Sequence, residues 1–106
     1  MSNPWAGEVT LVIEGTPRVM KLTLGALAEL EHSLAVGSLV DLVQRFESGG
    51  FSAGDVLALI AAGLQGGGHA MTPSDLAKAE IEGGVLMAAR AAAQLLARAF
   101  MTPEET

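Results

Sequence analysis

Phe51-Ser52-Ala53-Gly54-Asp55-Val56-Leu57-Ala58-Leu59-Ile60-Ala61-Ala62-Gly63-Leu64 reads as a helix that announces its own start. The Ser52 hydroxyl can accept from the exposed backbone N–H of Asp55, and the Asp55 carboxylate can reach back to the Ser52 N–H, forming a capping box. Phe51, just before the cap, can staple onto Val56 just inside the helix. Val56, Leu57, Ile60 and Leu64 then form an apolar stripe, and Gly66, Gly67 and Gly68 end the helix. The same start signal occurs at Ser38 with Asp41, and at Thr72 with Asp75, where Met71 and Leu76 supply the staple. Three such signals divide the middle and end of the chain into short, well-delimited helices.

Outward from that segment, Leu39, Leu42, Val43 and Phe46 follow the i, i+3, i+4, i+7 pattern behind Ser38, with Asp41 placed to pair with Arg45 one turn on. Before it, Leu27, Leu30 and Leu34 share a stripe that Gly37 can end. Glu31 sits at the edge of this stripe and reads as a carboxylate reaching water. Pro73 suits the first position of a helix behind Thr72, and Gly83-Gly84 either kinks that helix or, the reading favoured, separates it from an Ala-rich one. In the last helix Val85, Ala89, Ala92, Leu96 and Phe100 make a broad apolar face, while Arg90, Gln94 and Arg98 recur as a polar stripe.

The N-terminal part has a different period. Val9, Leu11 and Ile13 alternate with Thr10 and Val12, Gly15-Thr16-Pro17 supplies turn chemistry, and Met20 and Leu22 share a face opposite Val19 and Lys21. That is a β-hairpin over about 8–22, and a lone hairpin needs helices to cover its apolar face. The predicted fold is α+β, mainly α: one domain over 1–106, with the hairpin packed against four or five short helices. The helices are placed at about 24–35, 38–47, 52–64, 72–82 and 84–100.

At 106 residues the chain can bury a core without disulfides or a metal. Six Lys and Arg against twelve Asp and Glu give a net charge of -6, which opposes any role that requires neutralising nucleic-acid phosphates. No cysteine is present, which excludes a thiolate nucleophile and a zinc site of the cysteine type. The first seven residues lack the basic and apolar regions of a signal peptide, and the two most apolar stretches are too short to span a bilayer. A cytoplasmic protein without nucleic-acid or membrane partners is the resulting expectation.

No arrangement of residues points to catalysis. Gly66 to Gly68 follow no strand and precede no Gly-Lys-Ser or Gly-Lys-Thr, so they read as a helix end rather than a phosphate loop. His32 and His69 lack a second ligand at metal-binding spacing. Serine and threonine occur at caps and in strands, with no nucleophile elbow. Neither enzyme activity, cofactor nor metal is expected. Trp5 is a candidate partner anchor or a plug over the hairpin edge. Arg90 and Arg98 could grip an acidic partner or simply form a solvated face. The broad face ending at Phe100 exceeds what one helix buries against a small domain, so part of it is expected to meet another protein. A symmetric self-contact and a partner helix are both open. Met101-Thr102-Pro103-Glu104-Glu105 repeats the logic of Met71-Thr72-Pro73-Ser74-Asp75, so Thr102 and Glu105 form a cap without a helix behind it. Either the tail is frayed or it starts a helix on contact with a partner.

Asn3-Pro4-Trp5-Ala6-Gly7-Glu8-Val9, the hairpin, and Leu22-Thr23-Leu24-Gly25-Ala26-Leu27-Ala28-Glu29-Leu30-Glu31 together resemble the tail assembly chaperone family of gene transfer agents and related phages. The likeness continues through Phe51 to Gly68, where a helix ends in Leu64-Gln65-Gly66-Gly67-Gly68, and through Glu82-Gly83-Gly84 to Phe100. Proteins of this family have also been labelled tail-tube proteins. The resemblance implies a chaperone that binds the tail tape-measure protein, and other tail proteins, during assembly. The alternatives are a structural tail component, tube or adaptor, and a small regulatory interaction domain. A homo-oligomer is compatible with each.

Overall fold

The computed structural model describes residues 7–33 and 38–100. Strands β1 (Glu8–Ile13) and β2 (Thr16–Lys21) pair antiparallel, with Val9 opposite Met20, Leu11 opposite Arg18 and Ile13 opposite Thr16. Helices follow at α1 (Leu24–Ser33), α2 (Leu39–Ser48), α3 (Ala53–Gly66), α4 (Pro73–Lys78) and α5 (Gly84–Ala99). The chain is α+β and mainly α.

The hairpin buries Val9, Leu11, Ile13 and Met20, the parity that the alternation predicts. Its turn differs from the expected Gly15-Thr16-Pro17. The link is the pair Glu14-Gly15, both at positive φ, +53° and +77°. Such a two-residue turn matches the right-handed twist of the strands. Thr16 and Pro17 therefore belong to β2, and Pro17 occupies a position whose missing N–H faces away from β1, as the pairing of Val12 with Pro17 shows. Arg18 shares the core face with Met20, and its Nε is buried without a hydrogen-bond partner.

The caps form largely as read. Ser38 and Asp41 make a reciprocal box, as do Ser52 and Asp55. At Thr72 only the forward half exists: the hydroxyl accepts from Asp75 N at 3.0 Å, and Asp75 does not return the bond. Thr23, unassigned from sequence, accepts from Ala26 N at 3.1 Å and caps α1. Phe51 stacks on Phe46 with centroids 4.4 Å apart and planes 6° apart, so the residue before the α3 cap ties α2 to α3.

Arg45 does not pair with Asp41 as predicted. Its Nε and Nη2 reach Asp55 on α3 at 2.9 and 3.0 Å. A planar guanidinium gains two parallel hydrogen bonds across the interface, where an i+4 pair on the surface offers little.

Helix α3 is the centre of the molecule, packed against β2, α1, α4 and α5. It buries Val56, Leu59, Ile60, Ala62, Gly63 and Leu64, so the single stripe of the sequence reading was too narrow. Leu59 is fully buried, while Leu57 is only half-buried, because neighbours cover the helix on several sides. Its C-terminus closes with a Schellman motif: His69 N donates to Leu64 O at 2.7 Å and Gly68 N to Gln65 O at 3.1 Å, with Gly68 at φ +87°.

The predicted fourth helix, 72–82, stops at Lys78. Ala79 turns extended at ψ 152°, and Glu80–Glu82 run beside β1. Glu14 N donates to Glu80 O at 2.8 Å and Glu82 N to Val12 O at 3.0 Å, around a bridge between Ile13 and Ile81. The exposed edge of the hairpin wins these residues from the helix by offering their backbone groups partners. Gly83 and Gly84, at φ +87° and +68°, then reverse the chain into α5, so the two helices are separate, as read.

Candidate functional site

Helix α5 is where the chain presents apolar surface. Its buried face is Ala88, Ala91, Ala92, Leu95 and Leu96, rotated from the expected Val85, Ala89, Ala92, Leu96 and Phe100. Two of the expected residues emerge instead, Val85 at 84% and Phe100 at 55% exposed, and Leu86 beside Val85 is 69% exposed. Burial in α5 is set by the hairpin and α3 on one side, and small alanines let the backbone settle closer to them than bulkier residues would.

Two grooves flank this exposed side. One, of about 300 Å³, lies between α2 and the end of α5, walled by Val43, Phe46, Leu96, Ala97 and Phe100. The other, of about 410 Å³, lies between α3, α4 and the start of α5, walled by Leu57, Ala77, Ile81, Val85 and Ala89. Glu47 is the single charged residue lining either. The stacked Phe46 and Phe51 contribute one ring to each groove. A third recess, of about 400 Å³, sits between α1, α3 and α4.

Of the sequence-derived partner residues, the three that the structure describes are not gathered into one cluster. Trp5, Thr102 and Glu105 lie outside the described residues. Arg90 is exposed beside the apolar stripe, and Phe100 walls the first groove. Arg98 turns elsewhere: its Nη1 donates to the Glu8 carbonyl on the free edge of β1. Residues eight apart on a helix are rotated by about 80°, enough to send two arginines of one apparent stripe to different surroundings. Together with Glu80–Glu82 at the other end, Arg98 closes β1's outer edge.

That contact carries a prediction. Arg98→Met keeps the aliphatic stem but removes the edge bond, so it is expected to lower stability by about 1 kcal/mol and to speed amide exchange at the start of β1. Arg90→Glu should leave both unchanged. Equal behaviour of the two variants in exchange-detected NMR would remove the edge role of Arg98.

The electrostatic focus of the described residues is the α2–α3 junction. The Arg45 guanidinium holds the Asp55 carboxyl below its usual range, aided by hydrogen bonds from Ser52 and opposed by partial burial. Hydrogen bonding to Asp55 raises Arg45 in turn. This pair joins α2 to α3, and the neighbouring Ser52 hydroxyl is engaged as the α3 cap, accepting from Asp55 N at 3.1 Å. His32 and His69 are exposed, Glu31 is an exposed carboxylate as read, and no group of three or more His, Cys, Asp or Glu among the described residues could hold a metal ion. Among the same residues no helix is long and apolar enough to cross a membrane.

Residues 6–102 match the family model described as phage tail tube protein, GTA-gp10. The chain belongs to this phage tail tube family. No curated protein and no solved structure matches it. The GTA-gp10 family is structural, and its match covers every described element from β1 to α5. This is a family of gene transfer agents and phage tails, the setting the sequence resemblance implied. The sequence signal that could have located the grooves was faint: Val85 and Leu86 lie directly behind two glycines, where few neighbours can cover a first helical turn.

Proposed function

We propose that this chain is a structural component of a phage-like tail, acting through protein–protein contact and not through catalysis. The match of residues 6–102 to the tail tube family supports that reading over the chaperone reading that the sequence resemblance put first. The exposed apolar side of α5 supplies contact surface of the kind an assembly component uses.

A second reading, a chaperone that holds the tape-measure protein during assembly, is favoured by one feature. Tube subunits of this tail type are dominated by β-strands, whereas among the described residues only one hairpin pairs, with both ends of β1's outer edge occupied. Helix-in-groove docking of a largely helical partner would suit the α5 side.

Quantitative mass spectrometry of purified particles separates the two. A structural component is expected at many copies per particle, in fixed ratio to other tail proteins. Its absence from particles that nevertheless require it for assembly would replace this reading with the chaperone.

A further inference from the structure

We propose that the exposed side of α5 pairs with the same side of a second copy of this chain, antiparallel about a two-fold axis beside Ala93. The inference goes beyond the tail role and holds for either reading of it.

Val85, Ala89, Ala93 and Ala97 recur every four residues and so form one row, which Phe100 ends. The row runs about 22 Å along the helix at 1.5 Å per residue. Its middle is alanine, which permits two helices to approach to about 8 Å. Its two ends are bulky side chains, 84% and 55% exposed, each standing beside an apolar groove. Parallel apposition would set Phe100 on Phe100 and Val85 on Val85, with the grooves unfilled. Antiparallel apposition sets Phe100 of each copy toward the groove beside Val85 of the other, and each Val85 toward the groove beside Phe100. One two-fold operation satisfies both contacts, as an isologous interface requires.

Charge and area favour the same occupant. With a net charge of -6, two copies repel over most approaches. The two grooves carry one acid, Glu47, among all their lining residues, and the charge exposed beside the row on α5 is the basic Arg90, so apposing these sides brings few acids together. Counting α5 and the adjoining row of α2 and α3, the strip is about 20 Å wide. With side-chain corrugation it offers on the order of 600 to 800 Å² per copy, within reach of the area that specific pairs bury.

The absence of cysteine makes the test clean. Ala93→Cys places a thiol beside the axis, where two copies bring their thiols together; Thr10→Cys places one on the exposed face of the hairpin. Under mild oxidation the first is expected to form a disulfide-linked dimer at least about tenfold faster than the second, because association raises the local thiol concentration toward the millimolar range. Sedimentation of the wild-type chain should give twice its 10.8 kDa. Ala93→Glu, at an exposed position, should raise the dimer dissociation constant by about tenfold or more by burying carboxylates without partners. Its circular dichroism should stay unchanged. A wild-type chain that sediments as a monomer at high micromolar concentration overturns the proposal. So does crosslinking through Ala93→Cys no faster than through Thr10→Cys. Either result would leave the α5 side to a different protein.

Discussion

Gly66→Ala is expected to lower stability by about 3 kcal/mol or more, and Gly67→Ala by a similar amount, although both glycines sit at the end of a helix where alanine normally helps. A Cβ on Gly66 would lie 1.9 Å from the Lys21 carbonyl oxygen, and one on Gly67 would lie 2.0 Å from that of Val19. The obstacle is backbone on both occasions, so no rotamer change relieves it. Either α3 withdraws from β2 or the hairpin is pushed off the core that α3 organises. For a domain of this size the loss corresponds to a fall of about 12 °C or more in melting midpoint. Gly25→Ala is the control. It lies in α1 with open space around the new methyl group and should stabilise by about 0.5 to 1 kcal/mol. Thermal melts of Gly66→Ala within a few degrees of wild type would mean that β2 does not pass against the end of α3.

Joint replacement of Ser52 and Asp55 by Ala should destabilise by about 1 to 3 kcal/mol, the range of one cap with its reciprocal partner. Asp55 Oδ2 accepts from Ser52 N at 2.9 Å while the same carboxylate binds Arg45. The ion pair is partly exposed, so it adds only modestly to this figure. The pH dependence has a definite sign. A carboxyl held below its ordinary value of 3.8 contributes stability that is fully present above that value and is lost as pH falls through the lower, folded value. The gap between wild type and the double variant should therefore be constant from neutral pH to about pH 5 and shrink below about pH 4. Urea titrations across that range measure it, and a gap that widens on acidification would contradict the assignment.

Local signals in the chain were legible where the interaction that produces structure is itself local. A capping box spans four residues, so Ser38, Ser52 and Thr72 mark the starts of α2, α3 and α4 without reference to anything distant. Strand alternation is also local, and it identified Val9, Leu11, Ile13 and Met20 as core. Helix ends were harder. The pattern behind Thr72 continues to Glu82, but Glu80–Glu82 leave it to bond with Val12 and Glu14, some seventy positions earlier in the chain. Arg45 illustrates the same limit: Asp41 is nearer in sequence, yet Asp55 offers the bidentate geometry.

The exposed apolar surface was only half legible. The excess of apolar residues on α5 was countable, and it pointed to a surface that meets another protein. Which of them lie outside was not, because periodicity gives the width of an apolar face and not the angle at which neighbours cover it. The glycines after Leu64 read as a helix end, which they are. Their second task, admitting the Lys21 and Val19 carbonyls, cannot be seen in a sequence.

The sequence by itself thus determined the class of fold, the starts of α2, α3 and α4, the face of the hairpin that is buried and the kinship with phage tail proteins, because caps, periods and motif order are properties of neighbours along the chain. Only the tertiary structure decided that α3 is central, that Glu80–Glu82 and Arg98 close the hairpin edge, and that Val85, Leu86 and Phe100 remain outside. Those outcomes depend on which surfaces meet in three dimensions, where close packing and the pairing of backbone groups outweigh local preference.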